Sequence, residues 1–242
     1  MNLSVLLPAY NEAERLGATL AAIRKIAQEA HIGEIIVVDD GSTDRTAEIA
    51  EEAGADVVYR QANRGKGAAL QAAFDLSRHE IVLMLDADLG DSAVEAVKLV
   101  KPVLSGLADM SIATFPVVPG RGGGFGMVVR LARWGIRKLT GQEMQAPLSG
   151  QRAARREVIA AAGGFAGGWG AEIGLTVAAL RAGFRVLEVP TTMTHRVTGR
   201  DAAGILHRTK QFFGAARVLL RLWLFPEKPH TRHIALPPKG ME

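Results

Sequence analysis

The chain has 242 residues, 48% of them hydrophobic and 22% charged, with a formal net charge of +4 and no cysteine. That length and apolar content suit one large α/β domain or two small ones and exclude a wholly disordered chain. The lack of cysteine excludes disulfides, cysteine-ligated zinc and thiol nucleophiles, and it fits a reducing cytoplasm.

Residues 1–8 carry no basic region and only a short apolar run closed by Pro8, so they read as a first strand (3–7) and not as a signal peptide. Apolar runs at 34–39, 56–59, 81–85 and 110–114 read as further strands. Residues 12–30, 43–53, 66–77 and 93–105 read as the helices between them. Several runs lack polar alternation, as expected of strands covered on both faces. Repeated βαβ units predict a doubly wound, mixed but mainly parallel sheet flanked by helices, with ligands beyond the carboxyl ends of its strands. Downstream come a glycine-dense loop at 120–126, an amphipathic helix at 127–139, a helix at 171–182 and a strand at 185–189 closed by Pro190. No apolar stretch approaches the ~18–20 residues that span a bilayer.

Residues 205–225 form a last amphipathic helix. Phe212, Ala216, Leu219, Leu220 and Trp223 share one face, and Lys210, Arg217 and Arg221 lie on another. Such a helix packs on the core or lies on an anionic membrane surface. From Arg196 onward nine Lys/Arg stand against Asp201, Glu227 and Glu242. This imbalance suits an anionic partner or a solvated basic tail. Nucleic acid is disfavoured, because no reader motif accompanies the charge.

Three strands end in polar clusters that the fold would gather at one sheet edge: Pro8-Ala9-Tyr10-Asn11-Glu12, Asp39-Asp40-Gly41-Ser42-Thr43-Asp44 and Asp86-Ala87-Asp88. The last pair of carboxylates follows an uncharged buried strand, where they repel each other unless a cation or donors compensate. Mg²⁺ or Mn²⁺ suits them, since hard cations take oxygen ligands and are shared with substrate phosphates. The same acids could instead cap the next helix, with Asp91 or Ser92 as the actual cap. Ser42 or Thr43 can cap the helix at 43–53, which leaves Asp39 and Asp40 to accept from the N–H and O–H donors of a base or ribose. Asn63-Arg64-Gly65-Lys66-Gly67 opens a helix with glycines and a lysine, a combination favouring phosphate, although it lacks the Walker spacing.

As an ordered set these segments resemble glycosyltransferase family 2, of the GT-A fold, over roughly the first 115 residues. The resemblance implies that Pro8, Ala9, Tyr10, Glu12, Asp39, Asp40 and Lys66 hold a UDP- or GDP-linked sugar. Asp86, Ala87 and Asp88 would serve its diphosphate and the metal. Pro147-Leu148-Ser149-Gly150-Gln151-Arg152, with Arg155-Arg156-Glu157, is similar to the acceptor segment of dolichyl-phosphate mannose synthases and glucosyl-3-phosphoglycerate synthases. Gly168-Trp169-Gly170-Ala171-Glu172-Ile173-Gly174-Leu175 and His195-Arg196 resemble the latter more closely. Polyprenyl-phosphate enzymes usually read Asp-Ala-Asp-Leu-Gln, and here Gly90 occupies the fifth position. The expected protein ligands are therefore Asp86, Asp88 and His195, with Asp88 and Glu172 catalytic. Ser149, Gly150, Arg152, Glu172, Arg196 and Arg200 would contact a phosphate-bearing acceptor, a 3-phosphoglycerate-like acid or a polyprenyl phosphate. Arg155 and Arg156 are further candidates for an acceptor-phosphate clamp. Glu172 could take a hydroxyl proton, a role that a phosphate acceptor would not need.

The expected division is a catalytic domain over 1–200, with a donor half to 115 and an acceptor half beyond it. A helical extension over 201–226 and a loose tail over 227–242 follow. Expected partners also include a membrane surface at the inner face and a second copy of the chain. A nicotinamide dehydrogenase would need Gly-x-Gly-x-x-Gly after the first strand. A sugar nucleotidyltransferase would place a glycine-rich, arginine-bearing loop where Ala9-Tyr10-Asn11-Glu12 stands. A non-catalytic nucleotide-sugar-binding protein remains the alternative if Gly90 marks a decayed site.

Overall fold

A computed structural model describes residues 2–115, 126–165, 170–194 and 202–224, with side chains in the last segment from Phe213 onward. The first half runs β1 (Leu3–Ala9), α1 (Ala13–Lys25), β2 (Ile32–Asp39), α2 (Thr46–Glu52), β3 (Val57–Arg60), α3 (Lys66–Leu76) and β4 (Ile81–Met84). A 3-10 helix (Gly90–Ala96) leads into α4 (Val97–Leu104), and then come β5 (Met110–Thr114) and α5 (Met127–Thr140). The chain continues through β6 (Arg152–Arg155), α6 (Arg156–Ala161), α7 (Ala171–Arg181), β7 (Val186–Pro190) and α8 (Ala202–Leu224).

Among the described residues, seven strands form one sheet in the order β3-β2-β1-β4-β6-β5-β7. β6 alone runs against its neighbours, pairing antiparallel with both β4 and β5. The expected mixed, mainly parallel sheet is therefore present. β6 and α6 were not expected: Arg-Ala-Ala-Arg offers neither an apolar run nor the β-branched residues that mark a strand. The helix expected over 12–30 stops at Lys25, and a turn with His31 at φ 54° leads into β2.

Side-chain alternation explains why both sheet faces are covered. Along β1, Leu3, Val5, Leu7 and Ala9 enter one core cluster, closed by α1, the 3-10 helix and α4. Leu6 enters the other, which α3, α5, α6, α7 and α8 close. β2 and β4 divide in the same way: Ile35, Val37, Ile81 and Leu83 on one side, and Ile36, Val38, Val82 and Met84 on the other. Each such fully buried aliphatic side chain contributes about 1.5–3 kcal/mol of transfer free energy. Ala215 and Leu219 of α8 belong to the second cluster, so the last helix is packed into the fold.

The crossovers leave β1 between β2 and β4, where the winding reverses. The crevice beyond the carboxyl ends of β1 and β4 is the place where open α/β sheets bind ligands.

Candidate active site

Pro8 and Ala9 end β1, and the chain turns over through Tyr10, Asn11 and Glu12 into α1. Asn11 adopts φ 55°, a left-handed conformation that asparagine tolerates. The start of α1 is capped by the neighbouring strand end. Ser42 Oγ accepts from Asn11 N at 2.9 Å, Thr46 Oγ1 from Glu12 N at 2.8 Å and Asp44 Oδ2 from Ala13 N at 3.2 Å. Ser42 and Thr43 therefore do not cap the following helix as expected. That helix begins at Thr46, whose N–H donates to Asp44 Oδ1 at 3.0 Å.

Asp39 and Asp40 are both buried, and they separate in role. Asp39 Oδ1 accepts from Ser42 N at 2.9 Å and stands at the mouth of β2. Asp40 Oδ1 accepts from Gln61 Nε2 at 2.6 Å and Arg64 N at 2.9 Å, and its Oδ2 from Gly65 N at 2.7 Å. This carboxylate shapes the loop that delivers Lys66. The repulsion between adjacent acids is relieved by the protein's own donors.

Lys66 opens α3 and reaches across the crevice. Its Nζ lies 2.5 Å from Asp86 Oδ1 and 3.7 Å from Glu172 Oε1. The other oxygen of Asp86 accepts from Gln151 Nε2 at 2.6 Å. Four elements thus meet around one carboxylate: the α3 start, the turn after β4, the β6 start and the α7 start. These side chains remain reachable, with Lys66 42%, Asp86 29% and Glu172 21% exposed. Burial works to lower the Lys66 pKa. The charges of Asp86 and Glu172 and the Asp86 hydrogen bond outweigh it and hold the ammonium well above the ordinary lysine value.

The turn after β4 is held from below. Thr19 of α1 donates to Ala87 O and accepts from Gly90 N, both at 2.8 Å, and Arg15 Nη1 donates to Asp88 O at 3.4 Å. Gly90 has φ 54° with open space around the position a Cβ would take. Backbone handedness accounts for glycine there. Asp88 is partly buried at this turn. The segment after β7 comes alongside, with Thr194 N donating to Ser92 Oγ at 3.0 Å. Ser92 Oγ in turn donates to Leu89 O at 2.7 Å, so it does not act as the expected helix cap.

The acceptor-side expectations divide sharply. Gly150 lies in the crevice, and Ser149 beside it is buried, its Oγ donating to Gln151 Oε1 at 3.4 Å. A Cβ at Gly150 would fall 2.6 Å from Lys66 Nζ and 3.2 Å from Asp86 Oδ1, so a side chain there would push the Lys66 ammonium from its place. Arg152 is 1% exposed. Its guanidinium donates to Ser149 O at 2.8 Å, Pro147 O at 3.2 Å and Thr176 Oγ1 at 2.8 Å. Burial lowers its pKa to about 10, against the opposing charges of Glu172 and Glu188. Arg152 thus supports the acceptor loop and α7, and it lines the same small cavity as Gly150 and Glu172.

Arg155 and Arg156 are displaced entirely. β6 is antiparallel to β4, with Met84 opposite Arg152 and Ile81 opposite Arg155. Three residues of extended chain carry Arg155 about 10 Å from the crevice end. There it faces Asp109, and Arg156 donates to the carbonyls of Ser77 and His79 at 2.6 and 3.1 Å. Arg196, Arg200 and His195 lie outside the described residues, as do Gly168 and Trp169.

Two site residues were missed. Gln151, 1% exposed, lies within Pro147–Arg152, but its reach to Asp86 spans 65 positions. Thr19 gave no signal, being one polar residue on an ordinary helix. Among the described residues, no three His, Cys, Asp or Glu side chains gather to hold a metal. Each Asp86 oxygen accepts one hydrogen bond and keeps a further lone pair, so the carboxylate can still ligate a cation.

A profile of glycosyl transferase family 2 matches residues 4–165. The chain is 34% identical over 205 residues to glycosyltransferase AglJ of Haloferax volcanii, covering 81% of this chain and 64% of that protein. It is 35% identical over 212 residues to polyprenol monophosphomannose synthase of Mycolicibacterium smegmatis, covering 81% and 78%. Its structure resembles glucosyl-3-phosphoglycerate synthase of Mycobacterium tuberculosis in complex with Mn²⁺, UDP-glucose and phosphoglyceric acid. That match has a TM-score of 0.76 and 28% identity, and covers 93% of this chain and 81% of the other. The chain thus spans just under two thirds of the first of these relatives.

Proposed function

The chain belongs to glycosyl transferase family 2, and from that premise we propose that it moves a sugar from a nucleoside diphosphate sugar to a phosphate-bearing acceptor. The observation that carries this reading is the Lys66 bridge. One cation touches Asp86 on the donor side and Glu172 on the acceptor side, at 2.5 and 3.7 Å.

In this reading the base and ribose lie against Pro8, Ala9, Tyr10 and Glu12, and Asp39 accepts from their N–H or O–H groups. Lys66 draws in the diphosphate, exchanging part of its contact with Asp86 for phosphate oxygens. Such an exchange keeps the charge of the crevice compensated, because one anion replaces another beside the ammonium. Asp86 and Ala87 contact the sugar or diphosphate where Gly150 leaves room.

Mg²⁺ or Mn²⁺ fits the oxygen-rich turn in part. Asp86 and Asp88, with His195 as a third protein ligand and the diphosphate oxygens, would hold it, a sharing usual for such ions. When bound it neutralises charge on the departing nucleoside diphosphate. His195 follows Thr194, which is bonded to Ser92 four positions beyond Asp88; this supports its assignment.

Glu172 stands where the acceptor enters. It accepts the proton of an attacking hydroxyl, or orients an acceptor whose phosphate oxygen attacks and needs no base. Ser149 and Gly150 line the same entrance, and Arg196 and Arg200 are the proposed phosphate clamp. Relatives named for a phosphoglycerate and for a polyprenol phosphate support the phosphate-bearing class. A lipid-phosphate acceptor would place the chain at the cytoplasmic face of a membrane.

The test is a screen of UDP- and GDP-sugars with Mn²⁺, offering 3-phosphoglycerate and a polyprenyl phosphate as acceptors. Transfer to one of them is expected, and Asp88→Ala should lower kcat/KM by about 1,000-fold, ~4 kcal/mol of transition-state stabilisation. Equal activity in the variant would remove Asp88 from the site, and no transfer in any combination would favour a binding protein.

A further inference from the structure

α5 and α8 lie side by side, with Gly135 of α5 meeting Leu219 of α8. Arg181 of α7 donates to the carbonyls of Leu139 and Leu222, at 3.4 and 3.2 Å, and ties their ends together. Ala132 and Ile136 on one helix and Ala215 and Leu219 on the other point into the second core cluster. Their outer sides differ from most of the protein surface. Met127 and Trp134 of α5, and Leu220, Trp223 and Leu224 of α8, are each more than half exposed, Trp134 at 60% and Trp223 at 69%. Clusters of large exposed apolar side chains on a single layer mark an interaction surface.

The charges on these helices have one sign. α5 carries Arg130, Arg133, Arg137 and Lys138, α8 carries Arg208, Lys210, Arg217 and Arg221, and neither contains Asp or Glu. Arg137 alone of these has an ion pair among the described residues, to Glu143 at 2.9 Å. An exposed aromatic and aliphatic set on two helices whose own charges are all cationic is the composition of helices lying in the headgroup region of an anionic bilayer.

We propose that the α5–α8 face docks on the surface of an anionic lipid membrane. Trp134, Leu220, Trp223 and Leu224 enter the interface, and Arg217 and Arg221 meet lipid phosphates. A second copy is the poorer occupant, because a two-fold interface would set Arg217 and Arg221 against the same cations. The chain's own residues 225–242 are poor as well: Lys228, Arg232 and Lys239 outnumber Glu227 and Glu242. The docking face adjoins the acceptor entrance, since Gly170, two residues before Glu172, packs on Val218 of α8. The inference stands on charge and exposure, and holds for either acceptor.

The experiment is flotation of the full chain with phosphatidylcholine vesicles, with and without phosphatidylglycerol, at physiological salt. Co-flotation with the anionic vesicles and a blue shift of tryptophan emission are expected, and high salt should weaken both. Arg217→Glu with Arg221→Glu should lower partitioning by about tenfold or more, and Trp134→Ser with Trp223→Ser should remove the blue shift. Lys25→Glu with Lys101→Glu, on helices of the opposite layer, changes net charge equally and should leave binding in place. Circular dichroism confirms the fold of each variant. Absence of flotation with anionic vesicles overturns the proposal, and so does binding that both α5–α8 double variants leave intact. So does a lipid-free dimer that Arg217→Glu with Arg221→Glu splits into monomers, which would make the face an interface between copies.

Discussion

The two edges of the sheet carry similar residues and use them in opposite ways. At the amino-terminal edge, Glu34 is buried and accepts from Ser4 Oγ at 2.6 Å, Arg78 N at 2.7 Å and Arg78 Nε at 3.0 Å. Asp109 there accepts from the backbone and guanidinium of Arg185, and Arg156 holds the end of α3 while its guanidinium carbon lies 4.4 Å from the centroid of the Phe74 ring. These charges are matched by the protein itself. At the carboxyl-terminal edge, Lys66, Asp86 and Glu172 form one partly exposed bridge between the two halves of the crevice. A closed network stabilises, whereas an accessible one with exchangeable partners can bind.

The largest effect that sharpens this contrast is expected from Lys66→Met. It should lower kcat/KM for transfer by about 100-fold, ~2.7 kcal/mol, through a higher donor KM. The melting temperature should stay close to that of the wild type, because the site is open to water. A variant that loses stability in proportion to activity would make the bridge a structural device like those at the other edge.

Glu34→Ala is the converse experiment. It removes the acceptor of Ser4 Oγ and of the Arg78 N–H, and should cost about 2–3 kcal/mol of stability. For a chain of this size that is a fall of roughly 4–12 °C in Tm, with kcat/KM unchanged below the transition. Arg156→Ala follows at about 1–2 kcal/mol, since the carbonyls of Ser77 and His79 lose their donor. Acceptor KM should not move. A raised acceptor KM would return Arg156 to the clamp that its place in the sequence suggested.

Acid should reveal the same closed network with the smallest effect per group. Burial pushes the Glu34 carboxyl up, but the bonds from Ser4 and Arg78 and the Arg78 charge hold it below the ordinary 4.5. Burial likewise opposes, and Arg185 and Arg155 outweigh, at Asp109, held below the ordinary 3.8. A carboxyl depressed in the folded state adds stability that is complete above its unfolded value and lost as pH falls through the folded one. Urea midpoints should therefore be level down to about pH 4.5 and fall below it. Glu34→Gln should flatten that fall, and an unchanged profile would remove Glu34 from the account.

Much of the fold was legible because burial leaves a local trace. Short uncharged runs such as Ile81-Val82-Leu83-Met84, set between helical patterns, read as strands covered on both faces, and their polar ends name the edge where a site can form. Pro8–Glu12, Asp39 and Asp86–Asp88 follow β1, β2 and β4, neighbouring strands that run parallel, so all three segments lie at one edge of the sheet. Residues whose role depends on a distant partner were not legible. The donors that hold Asp40, on Gln61, Arg64 and Gly65, lie on the next loop. Gln151 and Thr19 act on the turn after β4 from 65 and about 70 positions away.

By itself, then, the sequence determined the α/β class, the covered sheet, the polar strand ends and the family. The tertiary structure decided which charges share an end of the sheet. The direction of β6 is the clearest case: running antiparallel, it leaves Arg152 beneath the crevice and carries Arg155 and Arg156 to the far edge. Four adjacent letters hold no record of that separation, because strand direction is set by pairing with β4 and β5. Those contacts are long-range, and only the assembled sheet supplies them.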